Sequence, residues 1–269
     1  MAKTLTSNKK RTAFTTTVFM KRMMAISGFV FLFFVAFHAY GNLHYFQGEV
    51  EYDHYAVFLR TLLSPILPYS GFLWILRVAL LLCLAAHVGS AYHLWARNKR
   101  ARGTSKYAVK VSKADSYASR YAMRTMRWGG TYLLLFIILH ILQFTTLTFT
   151  PGKEYVHGRA YFNMYWAFQL WWVYLIYVLA LVALCLHLWH GIWSALQTLG
   201  AIRKNTIPGV RIVAFLVAFA VFASFIAVPT AILFGMVDAP MPDATYYPQL
   251  CEAVGSAAEH VSHCAAMTH

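Results

Sequence analysis

Apolar residues gather in five long runs, near residues 22–44, 72–96, 127–149, 170–196 and 210–236, with polar segments between them. A helix of about 20 apolar residues spans the hydrocarbon core of a bilayer, and each run reaches that length. Lipid offers backbone N–H and C=O groups no partner, so each run must close its own hydrogen bonds as a helix. The pattern predicts an all-α membrane protein. Five transmembrane helices would form one bundle over 22–236, with a leader over 1–21 and a tail over 237–269. The first run starts only after a basic stretch and is long enough to span, which reads as a membrane helix and not as a cleaved signal. With 59% hydrophobic and 12% charged residues, the composition excludes an ordinary soluble domain.

The formal charge of +14 matters through its distribution. The leader and the start of the first run carry Lys3, Lys9, Lys10, Arg11, Lys21 and Arg22. The segment 97–127 holds ten Lys or Arg against one acid, Asp115, and the next segment on that side adds Arg203, Lys204 and Arg211. On the other side, 45–71 has Glu49, Glu51 and Asp53 with only Arg60, and 150–169 has Lys153, Glu154 and Arg159. The tail has four acids and no Lys or Arg. The positive-inside rule puts the N-terminus in the cytoplasm and the tail outside. The basic excess also attracts anionic lipid. No nucleic-acid reading motif accompanies it, so nucleic acid is not an expected partner.

Cys83 and Cys185 lie in membrane runs, where they pack as small apolar residues. Cys251 and Cys264 fall in the tail, on the side where disulfides persist. A disulfide between them, a metal site drawing on His260, His263 and His269, and free thiols are the three readings of this segment. The tail is rich in small residues and expected to be partly irregular.

Four of the twelve histidines, His38, His87, His140 and His187, each lie inside a different apolar run. An imidazole in hydrocarbon is costly and marks function by default. At about 1.5 Å per residue, His38 and His140 lie roughly 22 and 18 Å from the inner boundary, and His87 and His187 about 12–14 Å. The four sort into an outer pair, His38 with His140, and an inner pair, His87 with His187. Two pairs of imidazoles between helices are what two six-coordinate haems require. The bland alternative is four unrelated histidines bonding between helices. Gly41, Ser90, Ala91 and Gly191 follow their histidines by three or four residues, on the same helix faces, and would let a flat macrocycle approach. Helix three has Gln143 and Phe144 at those offsets. By geometry alone His190 could replace His187, since both share a face. His44 and His93, at helix ends, read as interfacial polar residues or as contacts to a haem propionate. The fifth run has no histidine and carries Pro229; its expected role is to close the bundle. Trp166, Trp171, Trp172 and Tyr174 form an interfacial belt.

These residues resemble, over about 18–236, the single-polypeptide, five-helix, di-haem cytochrome b subunit of succinate dehydrogenase and fumarate reductase. Lys21-Arg22, Ser27-Gly28 and His38-Ala-Tyr-Gly-Asn42 look like the family's basic entry, small-residue turn and His-x-x-x-Asn. Ala86-His87-Val-Gly-Ser-Ala-Tyr-His93 is similar to its second-helix histidine followed by small residues. His187-Leu-Trp-His-Gly191-Ile-Trp193-Ser194 resembles its His-x-x-x-Gly-x-Trp-Ser, which selects His187 over His190. The resemblance implies that His38 and His140 ligate a distal haem b, and His87 and His187 a proximal one. It further implies a membrane anchor for cytoplasmic flavoprotein and iron–sulfur subunits that exchanges electrons with quinone (menaquinone or ubiquinone) in a bacterial cytoplasmic membrane. The chain itself would not act on succinate. Arg22, Ser27, Trp128 and Arg203 are inner-face candidates for quinone or propionate contacts. Some family members carry an intramembrane glutamate tied to proton movement; no Asp or Glu lies in these five runs. The rival readings are the cytochrome b of another membrane oxidoreductase, of hydrogenase or formate dehydrogenase type, and a haem-free anchor or transporter.

Overall fold

The computed structural model describes residues 16–102, 117–255, 257 and 264, with backbone alone at 102, 117–125 and 204. The described residues form eight α-helices and no strand. These are α1 (Thr17–Leu43), α2 (Glu49–Thr61), α3 (Gly71–Arg102), α4 (Tyr117–Phe144), α5 (Ala160–Phe168), α6 (Trp171–Thr198), α7 (Ile207–Leu233) and α8 (Asp243–Val254). Five of them, α1, α3, α4, α6 and α7, are long and apolar enough to cross a membrane. Of the basic segments, residues 1–15 and 103–116 lie outside the described residues, as do His260, His263 and His269.

The helix ends correct the sequence reading where local chemistry competes with hydrophobicity. α1 begins at Thr17, not 22, because the Thr16 hydroxyl accepts from the Phe19 amide at 3.2 Å and caps the first turn. α4 stops at Phe144, not 149: the Thr145 and Thr146 amides both turn to Ile141 O, and Leu147 adopts φ +52°. The apolar run continues through Phe149, but its backbone folds back, with the Thr148 and Phe149 amides both on Leu142 O. α6 and α7 end in Schellman turns. Gly200 (φ +78°) and Gly235 (φ +65°) take the left-handed position, and the Ala201 and Met236 amides reach back to Leu196 O and Ala231 O.

The spanning helices pack as two pairs, α1 with α3 and α4 with α6. The pairs meet along α1 and α6, and α7 braces both of those helices, as expected for the histidine-free fifth span. Ala214 and Ala218 of α7 are fully buried and let its backbone lie close to its neighbours. At this junction Leu188, Ala218 and Val221 pack with Leu32 and Val35. α3 packs mainly on α1, and α4 mainly on α6.

The segments read as loops and an irregular tail build a cap layer at one end of the bundle. Here α2 packs on α5 and α8. Tyr45, Tyr155, Tyr161 and Phe168 join Val228 and Ile232 of α7 in one buried cluster, and Val57 packs with Tyr246, Leu250 and Val254 in another. Cys251 and Cys264 form a disulfide. Arg159, 3% exposed, pairs with Glu49 at 2.5 Å and Asp243 at 2.6 Å, and Glu49 also accepts from the Met241 amide at 2.6 Å.

Asp53 is fully buried and clamps three helices, accepting from the Tyr161 amide at 3.0 Å and the Tyr246 hydroxyl at 2.7 Å. Burial pushes its carboxyl up to about 7, against the lowering effect of those two hydrogen bonds. A carboxyl raised in the folded state binds its proton more tightly there than in the unfolded chain. Cap stability is therefore expected to fall, by a few kcal/mol at most, as pH rises from about 4 to about 7, and then to level off. Hydrogen exchange of α8 amides across that range checks this: Asp53→Asn should abolish this part of the slope, and a stability that rises with pH would contradict it.

Candidate functional site

The two helix pairs face each other through histidines. The His38 ring (α1) lies 5.8 Å from that of His140 (α4), centroid to centroid, and the His87 ring (α3) lies 6.1 Å from that of His187 (α6). Each contact joins one helix of the α1/α3 pair to one of the α4/α6 pair. His38 and His140 sit toward the cap layer. Phe34, Phe136, Phe144 and Phe225 surround them, each ring within 6 Å of one of the two imidazoles. His87 and His187 sit toward the opposite end. Opposite each of their rings is a glycine, Gly28 on α1 and Gly130 on α4, where a methyl group would touch the imidazole at 3.4 Å.

Hydrogen bonds fix the tautomers of two rings. Ser27 Oγ donates its one proton to Met23 O at 2.7 Å, so it can only accept from His87. His87 Nδ1 lies 3.2 Å from that oxygen and 3.1 Å from Met24 O, and must carry the proton. The Tyr177 hydroxyl donates to Gln143 Oε1 at 2.9 Å, so at 3.1 Å it can only accept from His140 Nδ1. In both rings the other nitrogen, Nε2, keeps its lone pair free, the form in which an imidazole binds a metal. His187 Nδ1 is buried without a hydrogen-bond partner among the described residues. Those residues hold no group of three or more His, Cys, Asp or Glu side chains suited to a metal ion; the arrangement is one of pairs.

The remaining predicted residues divide. Ser27 is buried against His87. Arg22 and Arg203 are exposed and Trp128 is 81% exposed; none of the three is brought to a paired histidine. Arg203 instead caps a short 3-10 turn with Thr206. His44 bonds Gln47 at 2.9 Å and stacks on Tyr55 at 4.4 Å, away from the pairs. His93 is half-buried on α3, six residues beyond His87. His190 faces Trp193 at 5.0 Å. The small-residue reading needs correction at two positions. Gly41 makes room for the Tyr55 ring, which a methyl group would meet at 3.1 Å, and Ser90 is spent on Met20 Sδ at 3.6 Å. Gly191 remains open, with nothing near the position of a Cβ.

Sequence reasoning missed Tyr177, Gln143 and Tyr155. The signal was a lone amide, Gln143, three residues beyond His140 in an apolar run, where the other helices carry small residues. Together these observations define a five-helix membrane bundle with two cross-helix imidazole pairs. No family model, curated protein or solved structure matches the chain.

Proposed function

We propose that the chain is the di-haem cytochrome b membrane anchor of a succinate:quinone oxidoreductase, passing electrons between an iron–sulfur partner and membrane quinone. The observation that carries the haem reading is the spacing of the imidazoles. A metal held by two imidazoles, about 2 Å from each bound nitrogen, would fit ring centroids roughly 6 Å apart, against 5.8 and 6.1 Å here. The free Nε2 of His87 and of His140 adds to it. His38 and His140 would hold one haem b, and His87 and His187 the other. Haem held by two histidines supplies one-electron transfer with no open coordination position. The chain's own residues orient the ligands and surround them with apolar and aromatic side chains. No acid lies in the spans, so this reading includes no intramembrane carboxylate relay.

The orientation supported best has the basic end in the cytoplasm of a bacterium and the cap layer outside. Nineteen Lys or Arg favour this against three on the other side, and the disulfide suits an oxidising compartment. Flavoprotein and iron–sulfur subunits would dock on the basic end. A quinone would use a boundary pocket with an apolar wall and few polar donors. A topology reporter fused at residue 110 is expected to be active only in the cytoplasm; activity only outside would overturn the orientation. For function, the reduced-minus-oxidised spectrum of the purified protein is expected to show b-type haem, with two haems per chain by pyridine haemochrome. A colourless protein would overturn the reading.

A further inference from the structure

We infer that Tyr177, held in place by Gln143 and Tyr155, is a positioning residue that sets the reduction equilibrium of the haem between His38 and His140. The inference rests on the haem reading above and adds to it a cause for inequality between the two haems.

The three side chains form a directed chain. Gln143 is fully buried on α4, and Tyr155 and Tyr177 are 6% and 7% exposed. The Gln143 amide spends Nε2–H on the Tyr155 hydroxyl at 3.1 Å, and its carbonyl oxygen accepts from Tyr177 at 2.9 Å. A buried amide is costly unless both ends are satisfied, and here each end takes a tyrosine hydroxyl, Tyr155 as acceptor and Tyr177 as donor. With its proton committed to Gln143, Tyr177 presents only a lone pair to His140 Nδ1, 3.1 Å away. Polarity thus runs from a surface-side segment, through two helices, into the imidazole. Tyr155 lies four residues before Arg159, so the chain starts in the segment that anchors the cap layer.

The other pair is built differently. The His87 N–H is received by a backbone carbonyl, Met24 O, with Ser27 beside it. That carbonyl belongs to α1 and does not depend on any one side chain. Donation from Nδ1–H makes an imidazole a stronger donor at Nε2, which favours the oxidised metal. The ring whose acceptor is one removable hydroxyl is therefore the one whose metal can be tuned alone.

The test uses the full chain in its membrane complex, with redox titration resolving the two haems and pyridine haemochrome counting them. Tyr177→Phe is expected to keep both haems and to favour reduction of the His38–His140 haem by up to about tenfold, about 59 mV for one electron. The other haem should not move. Gln143→Leu frees the Tyr177 proton to turn toward His140 Nδ1 and oppose the ligating tautomer, so it should weaken retention of the same haem. Adding Tyr177→Phe to Gln143→Leu should then restore the haem and return the titration to the Tyr177→Phe value. Plain packing damage would not return the titration of that one haem to the Tyr177→Phe value. An unmoved potential in Tyr177→Phe, equal shifts of both haems, or a double variant worse than either single one overturns the inference while leaving the haem reading intact. Absence of haem from the unaltered protein overturns both.

Discussion

On the proposed di-haem reading, replacing His187 by alanine is expected to leave one haem in place of two, and His87→Ala should lose that same haem. The His87 and His187 rings meet across the two helix pairs at 6.1 Å, so the loss of either would strip one side of the proposed shared iron. His38→Ala and His140→Ala should each remove the other haem. Either single loss should halve pyridine haemochrome per chain. His190→Ala separates this from a general loss of packing on α6. His190 is three residues from His187, but its ring faces Trp193 and, among the described residues, no histidine of another helix, so both haems should remain. Full haem content in His187→Ala, or loss on His190→Ala alone, would reassign the ligand. A variant pair that loses different haems, such as His87→Ala and His187→Ala, would break the pairing itself.

The spans were legible because lipid imposes one rule on every backbone group, and that rule leaves long apolar runs in the sequence. The depth of each histidine followed from the helical rise and the alternation of direction, which is why His38 meets His140 and His87 meets His187 in space. The cap layer was not legible. α2, α5 and α8 are short and mixed in composition, and their partners are remote: Arg159 lies 110 residues from Glu49, and Asp53 lies 193 from Tyr246. No local period encodes such pairs. Within the site, Gly41 shows how a face can mislead. It stands one turn from His38, as a macrocycle would require, yet the group it admits is Tyr55. Gln143 shows the reverse case. It looked like the gap in a small-residue pattern, and it is the amide that fixes Tyr177.

Arg159→Met is expected to have the largest effect on the cap layer. Glu49 is 5% exposed, and its carboxylate has two partners, the Arg159 guanidinium and the Met241 amide. Removing one member of a buried ion pair strands the other, a loss of about 3–5 kcal/mol. The same guanidinium donates to Met241 O at 3.0 Å and lies 4.1 Å from the centre of the Tyr246 ring, so one side chain holds α2, the start of the tail and α8 together. Asp243, the other acid on Arg159, has a 73% exposed side chain, and Asp243→Asn should cost under about 1 kcal/mol. The difference separates a buried anchor from a surface ion pair on the same arginine. Hydrogen exchange reads it directly. In Arg159→Met the amides of α8 and of Met241 should open more than about 100-fold faster, since each 1.4 kcal/mol is tenfold, while those of α6 and α7 stay protected. Removing Glu49 as well, as Glu49→Leu, should recover part of the loss, because no stranded charge then remains. If Asp243→Asn matched Arg159→Met, or if the double variant were the less stable of the two, the stranded carboxylate would not be what holds the layer, and the aromatic contacts of Arg159 would have to be.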